Sequence, residues 1–444
     1  MRYAFLLLIL TACASVPEER LAEPSPVPGH ASPLAREYPD ERPEPLAFES
    51  DDPREREYDL LQLLELVDES PALKAMREGI ARETGLVNQG SYMPNPVMHL
   101  EADFIPIDDP SYINGLYKIW FSQRIETAGK AGDRVDAALS RRDEAVAMFF
   151  HERGLLLKAV ARDFYQAVFA RRNAESTARM LELKRDLYDK AKRLNDAGRL
   201  ADQDLIPHQV AVQTAGVQKM RYEAEEKELL RRIEGLLGLK PGTVLACRGE
   251  VRPGAPPAPE EAWQAVLQHN CELIHLDRKV DTARFDLELQ EGLAYPDLSV
   301  GLGFTHGKEM GGETGNFLKA FVDVPFPLVD RNQGGIESAE AAVREAGAQL
   351  ETTARKLVGE WQGLYEQRLI IDEQRLLYHE RIIPSLEKEL TLVDRQVEAG
   401  RRPVQERLNA AVKLEEAVLA ALRLDEELAV ISVDMKYLTG DNMF

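Results

Sequence analysis

The sequence predicts a mainly α-helical chain that also carries membrane-type β-strands, built twice in tandem. Three observations lead there. Landmarks recur at a nearly constant offset of 200–202 residues. Long proline-poor stretches repeat apolar residues at helical spacing. Four short segments alternate apolar with polar residues. The 444 residues carry 76 Asp+Glu against 55 Lys+Arg, a formal net charge of −21. That balance opposes a grip on nucleic acid, which needs a basic face to displace phosphate counterions. Apolar residues make up 44% and charged residues 30%, enough for a buried core. Three cysteines are too few for a disulfide framework. No run approaches the ~20 apolar residues of a membrane-spanning helix, which leaves the weaker signal of a β-barrel open.

The first twelve residues form an address. Met1-Arg2 is a short positive region, and Ala4 to Leu10 is an apolar run of signal-peptide length. Leu10-Thr11-Ala12-Cys13 resembles a bacterial lipobox, which implies that residues 1–12 are removed and that Cys13 is lipidated. An ordinary signal sequence with an incidental cysteine is the alternative. Ala14 and Ser15 follow, and neither is the Asp of an inner-membrane retention signal, so the outer membrane is the expected home. From Cys13 to residue 57 the chain is expected to be a tether. It holds nine of the 25 prolines (Pro17, Pro24, Pro26, Pro28, Pro33, Pro39, Pro43, Pro45, Pro53), a composition of extended chain.

The repeat fixes the remaining organisation. Ser70-Pro71-Ala72-Leu73 aligns with Asn270-Cys271-Glu272-Leu273, and Pro96–Phe104 with Pro296–Phe304, both at an offset of 200. Ala197-Gly198-Arg199 aligns with Ala399-Gly400-Arg401, and Leu236-Leu237-Gly238 with Leu438-Thr439-Gly440, both at 202. The halves are expected at 58–240 and 259–444, joined by a linker over 241–258 that contains Pro253-Gly254-Ala255-Pro256-Pro257. Each half orders a helix of about 30 residues (58–90 and 260–291), two strands, a very long helix, a glycine turn and a closing helix.

Strands are expected at about 97–105, 116–125, 297–305 and 317–326. In the first, Met98, Leu100, Ala102 and Phe104 oppose His99, Glu101 and Asp103. In the second, Tyr117, Ile119 and Phe121 oppose Lys118 and Ser122, with Trp120 on the polar side. In the third, Leu298, Val300, Leu302 and Phe304 oppose Ser299, Gly301, Gly303 and Thr305. In the fourth, Leu318, Ala320, Val322 and Val324 oppose Lys319 and Asp323. Period-two alternation gives one apolar and one wet face. Two hairpins on a soluble core would also alternate. Strands of ~9–11 residues with ionisable wet faces suit a tilted bilayer crossing around a water-filled lumen. The segments around Asp108-Asp109-Pro110 and over 306–316 are expected as loops.

Between Thr127 and Ala197 there is no proline, and Leu155, Val160, Phe164, Val168 and Phe169 recur at helical spacing. About 70 helical residues would span ~105 Å, which demands a partner helix, as in a coiled coil or helical barrel. Four strands leave two open edges. Open edges do not survive in hydrocarbon, so a barrel must close through several copies of the chain.

With these features the sequence resembles the outer-membrane efflux protein family, the TolC-like exit ducts. The matching residues are Tyr295-Pro296-Asp297-Leu298-Ser299, Val324-Pro325-Phe326-Pro327-Leu328-Val329-Asp330-Arg331-Asn332-Gln333-Gly334 and the two Ala-Gly-Arg turns, over about 58–440. Gln123-Arg124-Ile125-Glu126-Thr127-Ala128-Gly129-Lys130 looks most like the heavy-metal-efflux branch, the CzcC- and CusC-like ducts. The resemblance implies a homotrimer whose four strands per chain close a twelve-stranded β-barrel above a long periplasmic α-helical barrel. It implies a passive conduit with no cofactor, docked on a periplasmic adaptor and an inner-membrane pump of the RND type.

The resemblance also places candidate residues. The turns at Gly198-Arg199 and Gly400-Arg401 would form the periplasmic tip that contacts the adaptor. Asp204 and Glu406 would lie at the gate, and Asn409 departs from the acidic residue of the best-known member. Solvated helix carboxylates are the plain alternative for both acids. The wet strand faces would put Glu101, Asp103, Lys319 and Asp323 in the lumen. Carboxylates repeated around an axis would favour cations.

His269, Cys271 and His275 raise a metal site, because Cys271 and His275 are i,i+4 on a helix, but the spacing gives only one good pair. A Cys247–Cys271 disulfide is compatible with a periplasmic location, and the sequence does not fix their separation. No G-x-x-x-x-G-K-[ST], H-E-x-x-H or G-x-S-x-G pattern occurs, so no enzyme is expected. His151-Glu152 and His379-Glu380 begin a zinc pattern but lack the second His. The rival readings are a periplasmic adaptor lipoprotein, which the duplication opposes, and a non-conducting coiled-coil lipoprotein, which the strands oppose.

Overall fold

The computed structural model describes residues 56–103, 116–249, 258–308 and 314–440. The element order is β1 (Arg56–Tyr58), α1 (Leu60–Glu65), α2 (Pro71–Gly90), β2 (Val97–Asp103), β3 (Leu116–Ile125), α3 (Lys130–Asp196), α4 (Asp202–Leu237), β4 (Val244–Cys247), α5 (Pro259–His269), α6 (Cys271–Leu293), β5 (Leu298–Lys308), β6 (Thr314–Asp323), α7 (Gln333–Leu377), α8 (Ile383–Glu398) and α9 (Val404–Thr439). The chain divides into two compact units. Of the described residues, one holds Ala72–Gly154 and Cys271–Leu357; the other holds those up to Pro71, Leu155–Asn270 and those from Val358 onward.

The first unit is organised around one antiparallel sheet in the order β2-β3-β5-β6. Hairpins β2–β3 and β5–β6 come from the two halves of the chain, and β3 joins β5 in register from Tyr117↔His306 to Ile125↔Leu298. Two strand bounds differ from expectation. The β5–β6 ladder runs on through His306↔Asn316, Gly307↔Gly315 and Lys308↔Thr314, because backbone pairing continues whatever the side chains are. At its other end β6 stops at Asp323 rather than 326, since Pro325 and Pro327 have no N–H to donate. The expected end of the first strand at 104–105 and the Asp108-Asp109-Pro110 segment lie outside the described residues.

Helices expected to be continuous are broken at the borders of the second unit. Residues 58–90 divide into α1, a 3₁₀ turn over Leu66–Glu69 and α2, and the counterpart divides into α5 and α6. The joints are Ser70 and Asn270, both buried, with Pro71 and Cys271 restarting the helices. Each joint lies under the terminal glycine of a hairpin. Gly238 closes α4 at φ +69° and a Cβ there would overlap the Pro71 ring; Gly440 closes α9 at φ +65° and a Cβ would overlap the His269 carbonyl. Asn270 Nδ2 donates to Leu438 O at 3.1 Å, satisfying one of the orphan carbonyls at the end of α9.

Trp361, Phe164, Phe169, Ile233, Leu428 and Leu438 are fully buried in this unit. Residues 244–247, expected as linker, form β4, which pairs in parallel with β1 at the end of the expected tether. Glu234 holds this corner. Its buried carboxylate accepts from Val244 N–H at 2.7 Å, Gly242 N–H at 3.0 Å and the Arg231 guanidinium at 2.6 Å. A π turn over Tyr378–Ile382 separates α7 from α8. Pro384 follows it and cannot donate to Glu380, so the ladder widens to i→i−5, with Ile383 N–H bonding Tyr378 O.

Candidate functional site

The sheet sorts its side chains as the alternation predicts. Leu100, Phe121, Leu302, Leu318 and Val322 share one face and are exposed, Leu318 to 77%. The register puts His99, Glu101, Asp103, Lys118, Trp120, Ser122, Lys319 and Asp323 on the other. All four residues expected on the wet face (Glu101, Asp103, Lys319, Asp323) therefore share it. Two of them are partnered: Lys118 Nζ lies 3.0 Å from Glu101 and 2.5 Å from Asp103. A free acidic wall is thus partly neutralised. Strands β3, β5 and β6 have 10, 11 and 10 residues, which matches a tilted crossing of a hydrocarbon layer.

Below the strands, the two halves of the chain are tied by ions. Asp297 accepts from Arg124 Nε at 2.7 Å, from Lys130 Nζ at 2.5 Å and from Thr127 N–H at 3.3 Å. Lys130 and Asp297 are almost completely buried, so this is a desolvated pair and not a surface one. Glu126 pairs with both terminal nitrogens of Arg134 at 2.5 and 2.9 Å. Asn332 donates to Gln290 O at 2.8 Å and fixes the start of α7 against α6.

The two hairpin turns have one geometry. Gly198 and Gly400 adopt φ +70° and +69°, the left-handed conformation that glycine takes without a Cβ penalty. Arg199 N–H bonds Leu194 O, and Arg401 N–H bonds Gln396 O, both at 2.8 Å. These are the six-to-one bonds of a Schellman cap. Past the turns the halves diverge. Asp204 is exposed in the first turn of α4 and has no ion pair among the described residues. Glu406 is half-exposed and takes Arg402 at 2.7 Å, while Arg407 takes Asp394 at 2.5 Å.

Farther along, Asp425 accepts from Arg375 at 2.5 Å and lies 3.1 Å from His379 beside the π turn. Its neighbour Glu426 is pushed up to about 7 by burial and by the Glu225 and Glu427 carboxylates. No disulfide joins Cys247 and Cys271. Burial pushes the Cys247 thiol up to about 12. His269, Cys271 and His275 do not form a metal cluster: among the described residues no three His, Cys, Asp or Glu side chains converge. His275 instead faces His151, ring centroids 6.2 Å apart, and burial lowers its pKa. Cys13 lies outside the described residues.

Several functional-looking contacts escaped the sequence. The Lys118 bridge needed the cross-strand register, and the Glu234 cap needed the return of the chain after α4. Pro384 was the one visible signal for the π turn.

Among the described residues the protein combines a four-stranded antiparallel sheet, apolar on one face and wet on the other, with long helices. Solved structures share this fold. CusC superposes with a TM-score of 0.70 at 13% identity, covering 88% of this chain and 95% of that one. A membrane protein from Pseudomonas aeruginosa gives 0.70 at 16% identity over 86% and 93%. The outer membrane protein VceC from Vibrio cholerae gives 0.68 at 14% over 86% and 96%. Among the described residues no helix is long and apolar enough to cross a membrane.

Residues 262–441 match the model of the outer membrane efflux protein family. The cobalt-zinc-cadmium resistance protein CzcC of Cupriavidus metallidurans is 26% identical over 236 residues, 52% of this chain. The chain spans 54% of the length of that curated relative.

Proposed function

We propose that this chain is the outer-membrane exit duct of a tripartite efflux pump, passing cargo that an inner-membrane pump of the RND type delivers through a periplasmic adaptor. One observation carries the reading: the sheet β2-β3-β5-β6 has an exposed apolar face, an ionic opposite face and two unpaired edges. Unpaired edges cost several kcal/mol per backbone group in hydrocarbon, so β2 of one copy pairs with β6 of the next. The match of residues 262–441 to the outer membrane efflux protein family supports three copies and twelve strands. The duct does no chemistry; the pump supplies the energy.

On this reading residues 1–12 are the signal peptide, Cys13 is lipidated and the chain to 57 is its tether. Residues 58–240 and 259–444 are the two repeats, joined by 241–258. Gly198, Arg199, Gly400 and Arg401 form the adaptor-contact tip, and Asp204 and Glu406 lie at the gate. The similarity to a cobalt-zinc-cadmium resistance protein supports heavy-metal cations as cargo.

The test is the native mass of full-length protein extracted from outer membranes, beside Cys13→Ser. A lipidated trimer is expected, with the variant losing its acyl mass. A wild-type monomer confined to the periplasm would refute the reading.

A further inference from the structure

We propose that the polar face of the sheet carries a binding belt for planar aromatic anions, built from His99, Trp120, Lys319 and Phe321. The proposal rests on the duct reading above, which turns this face to the lumen and repeats the belt in each protomer.

One row of the sheet opposes His99, Trp120, Gly303 and Lys319 across all four strands. His99 stacks on Trp120 with ring centroids 5.0 Å apart and planes 7° from parallel. His99 Nε2 lies 2.9 Å from Ser122 Oγ, which fixes the imidazole. On the other side Lys319 Nζ lies 5.2 Å from the centroids of both Trp120 and Phe321. Glycine makes this packing possible. A Cβ on Gly303 would overlap Trp120 and come 2.8 Å from the Ile119 carbonyl oxygen; one on Gly301 would overlap the Phe321 ring. At these positions β5 presents bare backbone, and its neighbours' rings lie over it. The row therefore sets two stacked rings, His99 and Trp120, beside an ammonium that lies between Trp120 and Phe321.

The Lys319 ammonium has no ion-pair partner among the described residues. Lys118, one row away, is neutralised by Glu101 and Asp103. Among the described residues no carboxylate lies within ion-pair distance of Lys319. Its ammonium rests against aromatic faces, which attract a cation without cancelling its charge. The Lys319 ammonium and the Trp120 indole N–H offer donors along the row. A ligand that suits it brings acceptor oxygens with negative charge and a flat apolar body beside the rings. An aromatic carboxylate has both. The Lys319 ammonium repels a divalent cation, so this row is a site for organic anions and not a metal site, whatever cations pass elsewhere in the lumen.

The test uses full-length trimer in planar bilayers, with 2-naphthoate as probe and acetate at equal ionic strength as control. Naphthoate is expected to interrupt the wild-type current with discrete blockades that acetate does not produce. Lys319→Gln should shorten their dwell at least tenfold, and Lys319→Arg should retain them. If naphthoate acts on the wild type no differently from acetate, or blocks Lys319→Gln equally, the belt is overturned. The first comparison needs no variant, so a misfolded mutant does not rescue the idea. Wild-type protein that never conducts would instead refute the duct reading beneath it.

Discussion

Glu234 is expected to hold β4 in place, and Cys247 reports whether it does. Replacing Glu234 by Ala removes the acceptor of three donors. Gly242 N–H and the half-exposed Arg231 guanidinium can turn to water, but Val244 is fully buried and its N–H cannot. A buried donor left unmade costs ~1–3 kcal/mol, so local stability of the β1–β4 pair should fall by about 2 kcal/mol. That is a factor of about 30 in the open population. In the native state Cys247 is buried and its thiol is pushed up to about 12, so maleimide reacts only on opening. Labelling of Cys247, followed by peptide mass, should therefore accelerate about 30-fold in Glu234→Ala. Cys271, partly exposed in the other unit, should keep its rate and serves as the internal control. Glu234→Gln retains an acceptor and should fall between. A Cys247 rate within twofold of wild type in Glu234→Ala would refute the assignment of this carboxylate as the clasp.

Three further outcomes follow from the same kind of accounting. Glu426 titrates at about 7 in the folded protein instead of the ordinary 4.5, so the native state binds the extra proton between those values. Stability then falls as pH rises through that window and levels off above it; ~1.4 kcal/mol per unit caps the effect near 3 kcal/mol, and partial exposure trims it to about 1–2 kcal/mol. Glu426→Gln should match wild type at pH 4.5 and exceed it at pH 8 in thermal unfolding; parallel profiles would contradict this. Gly440→Ala should lower the thermal midpoint by roughly 5 °C or more, because a left-handed conformation and overlap with the His269 carbonyl combine. Gly400→Ala, equally left-handed but with open space around it, should cost only about 1 kcal/mol, and equal shifts for the two would contradict the packing argument. Asp297→Ala should destabilise by roughly 3 kcal/mol in the same assay, because it leaves the buried Lys130 ammonium with only the Tyr295 carbonyl and no counter-charge; a near-neutral result would mean that Lys130 reaches water.

Much of the fold was legible because it is written in periodicity. The two faces of β2 to β6 follow from residues such as Leu100 against Glu101, and the matched turns at Gly198 and Gly400 follow from the duplication. What stayed hidden depends on partners distant in sequence. Ser70 and Asn270 look like helix interior until Gly238 and Gly440 pack over the joints. Val244–Cys247 is too short to be read as a strand until Arg56–Tyr58 lies beside it. Of the candidate site, the wet-face residues were placed by alternation alone. The Lys118 bridge and the Trp120 stack belong to the register, which no single strand encodes.

The most direct test of the account is single-channel conductance of the purified full-length protein in planar bilayers, with its mass determined in the same preparation. The account predicts a trimer that opens in discrete, uniform steps. A stable monomer, or a trimer that inserts and never conducts, would contradict it.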